Sequence, residues 1–376
     1  YTIEVVDQYG NRSPVNVDTV FDLGHSPSTT GTFYRDALGA DPIIGTPPQI
    51  TVADGTEFIE FYYRDTTATS TPFDLTAARS SGQTGMTITS DAWPITVLPA
   101  GINRFGLSGD TATLSAGSSR SFIVTAYDEY DNVQEDYSGG VPIVFAGASA
   151  SPAPSSVAPM VDGIAFGTPT TLTFADGLAT ATVTLYRAEN TMITATAGAI
   201  TTPADADLEI PVRHLAADHV KFSGSLPTDV TAGAEFGFGA TIDVVDLYDN
   251  LCDGTNGGTA YTASTDVTYD LSVSTQSPEG DEAVLPNPIS FTNGRSASGL
   301  TATLYLAADN VTITPSIAGI NGTNIVSNAF NVAVGAPDHL RYTTQPPAST
   351  AFGEVFDPNP VVAVTDAWGN IITGAT

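Results

Sequence analysis

The stretch SFIVTAYDEYDN, residues 121–132, joins two local signals that point to one fold class. Its first seven residues, SFIVTAY, have the period-2 alternation of a β-strand that buries one face. The phrase DEYDN follows, and its Asp and Asn residues favour a tight turn. TATVTLY (180–186) and TATLYL (301–306) alternate in the same way, whereas long segments with the 3.6-residue period of a helix are absent. The sequence therefore predicts antiparallel β-structure.

The turn phrase recurs along the chain at a nearly constant period. It reads DQYGN at 7–11, DLYDN at 246–250 and DAWGN at 366–370, so successive leading Asp residues lie 121, 118 and 120 positions apart. A fixed period of this length indicates tandem domains. Two other phrases also recur, and their order relative to the turn phrase is the same along the chain. An opening phrase reads AGINRF, ADHVKF or PDHLRY (100–105, 217–222, 337–342), and a later one begins VADG, FADG or FTNG (at 52, 174 and 291).

These phrases divide the chain into four units, which keep their names below. Unit 1 (1–98) lacks the opening phrase and is predicted to lack its first strand or strands. Unit 2 (99–212) and unit 3 (213–335) are predicted to be complete domains, and unit 4 (336–376) to be the start of a further one. Several short strands in each ~120-residue unit favour a β-sandwich of seven or more strands. Because the segments between units are short, we expect a semi-rigid rod.

Composition narrows the classes of partner. The 41 acidic and 11 basic residues give a net charge of −30 and a pI near 4.1. This charge argues against nucleic-acid binding and against docking on anionic lipid. No run of 18 apolar residues exists, so no membrane insertion is predicted in this segment. Cys252, in the polar stretch LCDGTNGG, is predicted to be a loop thiol, with interchain pairing as the alternative.

Two long stretches carry a resemblance to a known family. LSAGSSRSFIVTAYDEYDNVQEDYSGGVPIVF (114–145) and PDHLRYTTQPPASTAFGEVFDPNPVVAVTDAWGNIITG (337–374) resemble bacterial immunoglobulin-like repeats. Related repeats build the stalks of invasin- and intimin-like adhesins and occur in surface-layer proteins and extracellular filaments. The resemblance implies an all-β fold of tandem immunoglobulin-like β-sandwich domains arranged as a rod, at the cell surface or outside the cell. The family more often has Gly before the Asn of the turn phrase, where units 2 and 3 have Asp131 and Asp249.

The turn phrase permits a structural and a metal-binding interpretation. In the first, the Asp side chain bonds backbone amides, the Gly or Asp and the Asn take the φ > 0 positions of the turn, and the aromatic residue covers the end of the sandwich. In the second, carboxylate and amide oxygens bind calcium, with further ligands from a neighbouring loop or joint, such as Asp218 or Asp338. The structural interpretation is favoured, because one short turn supplies too few ligands. The residues concerned are Asp7, Asn11, Asp128, Asp131, Asn132, Asp246, Asp249, Asn250, Asp366 and Asn370.

Other candidate sites are less specific. The four histidines (His25, His214, His219, His339) lack the clustered spacing of a zinc site, and the repeat-equivalent His219 and His339 are predicted to pack at the joints. No catalytic motif is found, so the chain is predicted not to be an enzyme. The stretch FIEFYYR (58–64) is a candidate carbohydrate platform, with Phe61 and Tyr63 on one face and Tyr62 on the other; its alternative is core plus edge strand.

The function predicted from these observations is a structural repeat segment of a stalk, surface layer or extracellular filament. The alternative is an adhesin or carbohydrate-binding module that recognises a surface ligand. The predicted partners are copies of the same chain or adjacent repeats of a longer one. A sharper hypothesis is head-to-tail assembly, in which residues 336–376 of one chain complete unit 1 of the next by strand addition.

Overall fold

The computed structural model describes residues 1–26, 30–84 and 93–374. In that part of the chain the regular elements are β-strands, apart from one 3₁₀ turn at Thr255–Gly257. The prediction of an all-β fold of tandem sandwiches is confirmed. Within the same residues, no helix is long and apolar enough to cross a membrane.

Unit 1 is built around one four-stranded antiparallel sheet in the order β4-β2-β7-β8. Two short pairs, β1 with β5 and β3 with β6, pack against it and enclose a core that includes Phe21, Phe33 and Phe73. The strands are β1 (Thr2–Glu4), β2 (Thr19–Ser26), β3 (Thr32–Tyr34), β4 (Gln49–Val52), β5 (Phe58–Glu60), β6 (Tyr62–Arg64), β7 (Phe73–Ser81) and β8 (Trp93–Ile95).

Unit 2 is a sandwich of two sheets, in the orders β14-β13-β16-β11-β9 and β10-β19-β17-β12-β15, with β18 paired to β17. Phe105, Phe122, Phe145 and Phe174 lie fully buried between them, and each such side chain contributes about 1.5–3 kcal/mol by leaving water. The strands are β9 (Arg104–Gly109), β10 (Leu114–Ser115), β11 (Ser119–Tyr127), β12 (Gly139–Ala146), β13 (Met160–Val161), β14 (Ile164–Ala165), β15 (Thr170–Phe174), β16 (Leu178–Thr184), β17 (Asn190–Ala197), β18 (Ile200–Thr201) and β19 (Leu208–Arg213).

Units 3 and 4 continue the same plan. Unit 3 has a five-stranded sheet, β20-β23-β27-β26-β24, and smaller sheets that close the other side, while unit 4 is a two-stranded hairpin. The strands are β20 (His219–Ser223), β21 (Asp229–Thr231), β22 (Glu235–Gly237), β23 (Thr241–Val245), β24 (Ala263–Thr265), β25 (Val267–Leu271), β26 (Ile289–Thr292), β27 (Arg295–Ser296), β28 (Thr301–Thr303), β29 (Ala308–Val311), β30 (Ile313–Ile317), β31 (Phe330–Ala333), β32 (His339–Thr344) and β33 (Val361–Thr365).

One pair of strands recurs in units 2, 3 and 4 and determines where the turn phrase lies in each sandwich. The strand that runs into the phrase is β1, β11, β23 or β33 in successive units, and in the last three it pairs with the strand of the opening phrase, β9, β20 or β32. Counted from the leading Asp of the turn phrase, the register of this strand pair is the same in all three units. Phe105 lies opposite Ala126, Val220 opposite Val244, and Leu340 opposite Val364. The turn phrase therefore leaves the same end of each sandwich.

Cys252 is a free thiol outside the strands, as predicted for a loop thiol, but it is buried. Its side chain is buried in the core of unit 3 with Val244, Ile289 and Phe291, and burial, together with the nearby Asp246 and Asp253 carboxylates, raises the pKa of the thiol to about 12. Because reactivity belongs to the thiolate, we expect a thiol reagent at pH 8 to label Cys252 only as fast as unit 3 unfolds. Labelling of the native chain at the rate of a free thiol would contradict this.

Candidate functional site at the joints between units

The turn phrase forms an Asx-type turn in all four units. One carboxylate oxygen of the leading Asp accepts the backbone N–H groups two and four residues later, at 2.8–3.0 Å. The backbone N–H of the Asp in turn donates to the C=O of the closing Asn. These bonds occupy the polar groups that the strand end leaves unpaired.

Only the fourth position of the phrase has a positive φ. Gly10, Asp131, Asp249 and Gly369 have φ between 64° and 82°, and Asp is one of the few residues that tolerate this conformation without being glycine. The expectation that the closing Asn shares the left-handed conformation is wrong, because none of the four Asn residues has a positive φ. The backbone of the turn therefore does not explain why the Asn recurs.

The closing Asn bonds to the unit before its own. Its side-chain amide donates to a backbone C=O and accepts from the N–H two residues further on, at 2.8–2.9 Å. An amide carries a donor and an acceptor side by side, so it matches the C=O and N–H that an extended segment presents on one edge. The pairs are Asn132 with Thr66 and Ala68, Asn250 with Tyr186 and Ala188, and Asn370 with Tyr305 and Ala307.

The leading Asp holds the segment that connects the units. The carboxylate oxygens of Asp128, Asp246 and Asp366 accept the N–H of Ala100, Leu215 and Gly335, respectively, at 2.8–2.9 Å. Each carboxylate also accepts from the amide of the closing Asn in its own turn. The three Asp side chains are at most 1% exposed. We call this arrangement of Asp, Asn, connecting segment and preceding unit the Asp–Asn clamp.

The aromatic residue of the phrase also contacts the preceding unit. The ring of Tyr248 lies 5.0 Å from that of Tyr186, and the ring of Trp368 lies 5.8 Å from that of Tyr305. The prediction that this residue covers a sandwich end thus applies to the neighbouring sandwich. A Cβ atom at Gly117 would lie 2.4 Å from the Tyr248 hydroxyl, and one at Gly233 would lie 1.9 Å from the Trp368 ring. These two glycines make room for the next unit.

The first joint is less buried than the other two. Asn250 and Asn370 are 2% and 4% exposed, whereas Asn132 is half-buried and Tyr130 is 43% exposed. The first joint therefore keeps the hydrogen bonds of the clamp without the aromatic contact.

At the joint between units 2 and 3, an ion pair of unit 3 also bonds to the backbone of unit 2. The buried Asp249 carboxylate accepts from Lys221 Nζ at 2.8 Å and from the Ser155 N–H at 3.0 Å, and Lys221 Nζ also donates to the Ala153 C=O. Burial alone would raise the pKa of Asp249, but the bonds from Lys221 and Ser155 outweigh it and lower that pKa. His219 lies 3.2 Å from the same carboxylate.

Several of the solved structures with a weak similarity to this chain come from bacterial surface proteins. The FdeC adhesin of Escherichia coli is 15% identical, with a TM-score of 0.30, over 84% of this chain and 93% of that one. Invasin, a bacterial integrin-binding protein, is 13% identical, with a TM-score of 0.27, over 92% and 58%. Domains 5–6 of the S-layer protein SbsC are 16% identical, with a TM-score of 0.19, over 62% and 99%. These are bacterial immunoglobulin-like repeat proteins, as the sequence resemblance predicted.

No protein-family model and no curated protein matches the chain.

The metal-binding interpretation of the turn phrase stays a prediction. Within residues 1–26, 30–84 and 93–374, no group of three or more His, Cys, Asp or Glu side chains is placed to hold a metal ion. In the clamps the carboxylate oxygens already accept N–H groups from the turn, the Asn and the connecting segment. A calcium ion would have to replace these donors.

The other predicted site residues are spread over the chain. Phe61 is buried in the core of unit 1 and Tyr63 packs 5.1 Å from Phe33, so both belong to an aromatic cluster of that core. Tyr62 is half-buried, and carbohydrate binding by this stretch stays a prediction. His214 and His219 are buried at the second joint, where the Gly254 N–H donates to His214 Nε2.

Acidification is expected to weaken the joints. Burial would raise the pKa of Asp128 and Asp366, but the bonds from the Asn amide and the backbone N–H groups outweigh it and lower both pKa values. A pKa below the unfolded value of about 3.9 adds stability that is fully present above about pH 4 and is lost as pH falls through the folded value. Thermal unfolding measured from pH 7 to pH 2.5 tests this. A melting temperature that stays constant to pH 2.5 would contradict it.

Proposed function

We propose that this chain is a structural spacer of a secreted or cell-surface protein, a row of β-sandwiches held in line by the Asp–Asn clamp. The observation that carries the proposal is the recurrence of the clamp. The Asn amide bonds to the preceding unit at all three joints with the same geometry. Because the same Asn bonds each unit to the preceding one, its recurrence fixes the arrangement of the units along the chain.

The clamp stiffens a joint because bending would separate paired, desolvated groups. Each joint has two bonds from the Asn amide to the preceding unit and one from the connecting segment to the Asp. A hydrogen bond contributes about 0.5–1.5 kcal/mol net, and an unpaired buried partner costs about 1–3 kcal/mol. The three bonds of a joint together contribute about 1.5–4.5 kcal/mol, which exceeds the thermal energy of about 0.6 kcal/mol. The net charge of −30 keeps neighbouring rods apart in solution.

The experiment measures the distance across one joint. Spin labels are placed at Ile164→Cys in unit 2 and Val284→Cys in unit 3, where both native side chains are exposed. We expect a narrow distance distribution that becomes broad in Asn250→Ala. Asn11→Ala, which changes the same residue type in a turn where the Asn amide bonds only to the Asp7 carboxylate of its own unit in the described structure, is the matched control. Equal widths in all three proteins would refute the spacer proposal.

Head-to-tail assembly remains the finer form of this proposal. Unit 4 exposes Leu340 and Tyr342, whereas their counterparts in unit 2, Phe105 and Leu107, are buried. In the described structure β32 already pairs with β33 of its own hairpin, so donation to another chain requires that pair to open. Sedimentation at increasing concentration tests it, since a mass that stays monomeric to high concentration would refute assembly.

A further inference from the structure

A cleft lies at the joint between units 2 and 3, beside the Asp–Asn clamp. It has a volume of about 520 Å³, a size typical of small-molecule sites. Ser115 and Arg213, at the ends of β10 and β19, line it together with the connecting segment 214–217 and the loop residues 257–261 of unit 3. Residues of both sandwiches contribute, so the cleft belongs to the joint and not to a single sandwich.

The loop of unit 3 that lines the cleft is longer than its counterpart in unit 2. Between the turn phrase and the next strand, unit 2 has six residues (133–138) and unit 3 has twelve (251–262). The preceding sandwich holds the longer loop in place, because the Asn256 amide donates to the C=O groups of Glu189 and Val212 at 3.1 and 2.8 Å. Loops that a rigid scaffold positions often carry binding residues. The extra length therefore adds a positioned wall to this joint.

Several hydrogen-bond donors of this lining have no acceptor in the part of the chain that the structure describes. They are the hydroxyl groups of Thr259 and Tyr261 and the backbone N–H groups of Ala216, Ala217, Thr259 and Ala260. The Tyr261 ring packs edge-on against Phe291, 5.7 Å away, which restricts the position of the hydroxyl. Burial raises the pKa of Tyr261, so this hydroxyl remains a donor at neutral pH. The cleft therefore suits a ligand that is rich in oxygen acceptors.

Arg213 adds a positive charge to these donors. Eight of the 11 basic residues pair with a carboxylate, whereas Arg213 pairs with none among the described residues. Its Nε donates to Ser115 Oγ at 3.1 Å, and its terminal nitrogens have no acceptor in the same part of the chain. Free terminal N–H groups of a guanidinium bind a carboxylate through two parallel hydrogen bonds. Arg213 therefore gives the cleft a place for the carboxylate of a ligand.

We propose that the cleft binds a sugar acid, that is, a saccharide unit with one carboxylate. The carboxylate pairs with Arg213, and the ring hydroxyls accept from Thr259, Tyr261 and the N–H groups of the connecting segment. A saccharide places several oxygen acceptors within a small volume, which matches this group of donors. A polyanion is disfavoured, because the net charge of −30 would repel it. The site goes beyond the spacer proposal, since it depends on Arg213 and the long loop and not on the Asp–Asn clamp.

The test follows the amide NMR signals of the whole, isotopically labelled chain during titration. The probes are two sugar acids and their neutral counterparts, glucuronate with glucose and galacturonate with galactose. At least one sugar acid is expected to bind about tenfold or more tightly than its neutral counterpart, because an Arg–carboxylate bond is charge-assisted. Acetate, which presents the carboxylate alone, should bind more weakly than that sugar acid. Saturable shifts are expected at the amides of Ala216, Ala217, Thr259 and Ala260.

Two variants separate the charge from the hydroxyl. Arg213→Gln is expected to lower the affinity for the sugar acid to that for the neutral sugar. Arg64→Gln is the matched control, because Arg64 is exposed in unit 1 and pairs with no carboxylate in the described part of the chain. Tyr261→Phe keeps the ring against Phe291 and should weaken the acidic and the neutral sugar by a similar factor, roughly two to ten.

Three results would overturn the sugar-acid site. They are the absence of saturable shifts in the cleft with both sugar acids, a preference for the sugar acid that survives Arg213→Gln, and an affinity for acetate equal to that for the sugar acid. The methyl glycoside of the bound sugar acid then distinguishes two sources of the ligand. Binding of the glycoside assigns the ligand to the end of a glycan, and binding of the free sugar alone assigns it to a free sugar acid; both results support the site.

The site and the spacer proposal fail independently. Arg213→Gln leaves the bonds of Asn250 in place, so the distance distribution across the joint should stay narrow in this variant. If no sugar acid binds while Asn250→Ala still broadens that distribution, the site is overturned and the spacer proposal stands.

Discussion

Asn250→Asp is expected to open the joint between units 2 and 3. The change keeps the shape of the side chain but removes the amide that donates to the Tyr186 C=O at 2.8 Å and to Asp246 at 3.0 Å. Two carboxylates would then face each other at a site where Asn250 is 2% and Asp246 is 0% exposed. Breaking a buried polar network in this way costs about 3 kcal/mol or more. We expect the calorimetric transition of units 2 and 3 to fall by about 10 °C at pH 7.

Two comparisons make this result specific to the joint. Asn11→Asp places the same pair of carboxylates in the exposed copy of the turn, where surface changes usually alter stability by about 0.5 kcal/mol or less. Lowering the pH towards 4 should reduce the defect of Asn250→Asp, because one of the two carboxyl groups takes up a proton. If Asn250→Asp lowers the transition temperature no more than Asn11→Asp does, the Asn250 amide does not hold the units together.

Gly233→Ala is expected to displace Trp368 from the joint between units 3 and 4. The Cβ atom would lie 1.9 Å from the indole ring, and Gly233 has a φ of +75° that costs an L-residue about 1–2 kcal/mol. The ring cannot keep its place beside Tyr305, so overpacking adds about 1–3 kcal/mol to the strain. We expect a lower melting temperature and a red-shifted, more quenchable tryptophan fluorescence.

Gly163→Ala is the matched control. Gly163 has a φ of +79°, and no heavy atom lies within 4 Å of the added Cβ, so this variant measures backbone strain alone. The difference between the two variants is the cost of the collision with Trp368. The double variant Gly233→Ala/Trp368→Ala should lose less stability than the sum of the losses in the two single variants, since the collision is then absent. Equal losses for Gly233→Ala and Gly163→Ala would contradict the proposed packing.

The two variants remove different kinds of contact, Asn250→Asp at the second joint and Gly233→Ala at the third. The Asn amide supplies directional bonds, and the aromatic ring supplies apolar contact with the end of the preceding sandwich. The first joint has the bonds without the ring contact, and the second and third have both. We therefore expect the first joint to be the most flexible of the three.

Local patterns in the sequence determined the fold class, the period and the turns. Strand alternation depends on neighbours two residues apart, and the Asx turn closes within five residues, so both can be read without knowing where the rest of the chain lies. The Asp131 and Asp249 positions were assigned to a left-handed turn for the same reason, and the structure places them there. The sequence also contained the signal for the clamp, in the constant Asn and in the Tyr-x-Ala of residues 186–188 and 305–307, but nothing local connected the two.

Only the tertiary structure decided what the Asn does and where Cys252 lies. The partners of Asn132, Asn250 and Asn370 are backbone groups 62 to 66 residues earlier, on another unit. Those groups are ordinary C=O and N–H groups that any residue carries, so their availability depends on which strand edge the fold leaves open. Likewise the polar stretch around Cys252 predicts a loop, but it does not show that the core of unit 3 encloses the Cys252 side chain. Burial and long-range pairing are properties of the packed units, and no short stretch of sequence contains them.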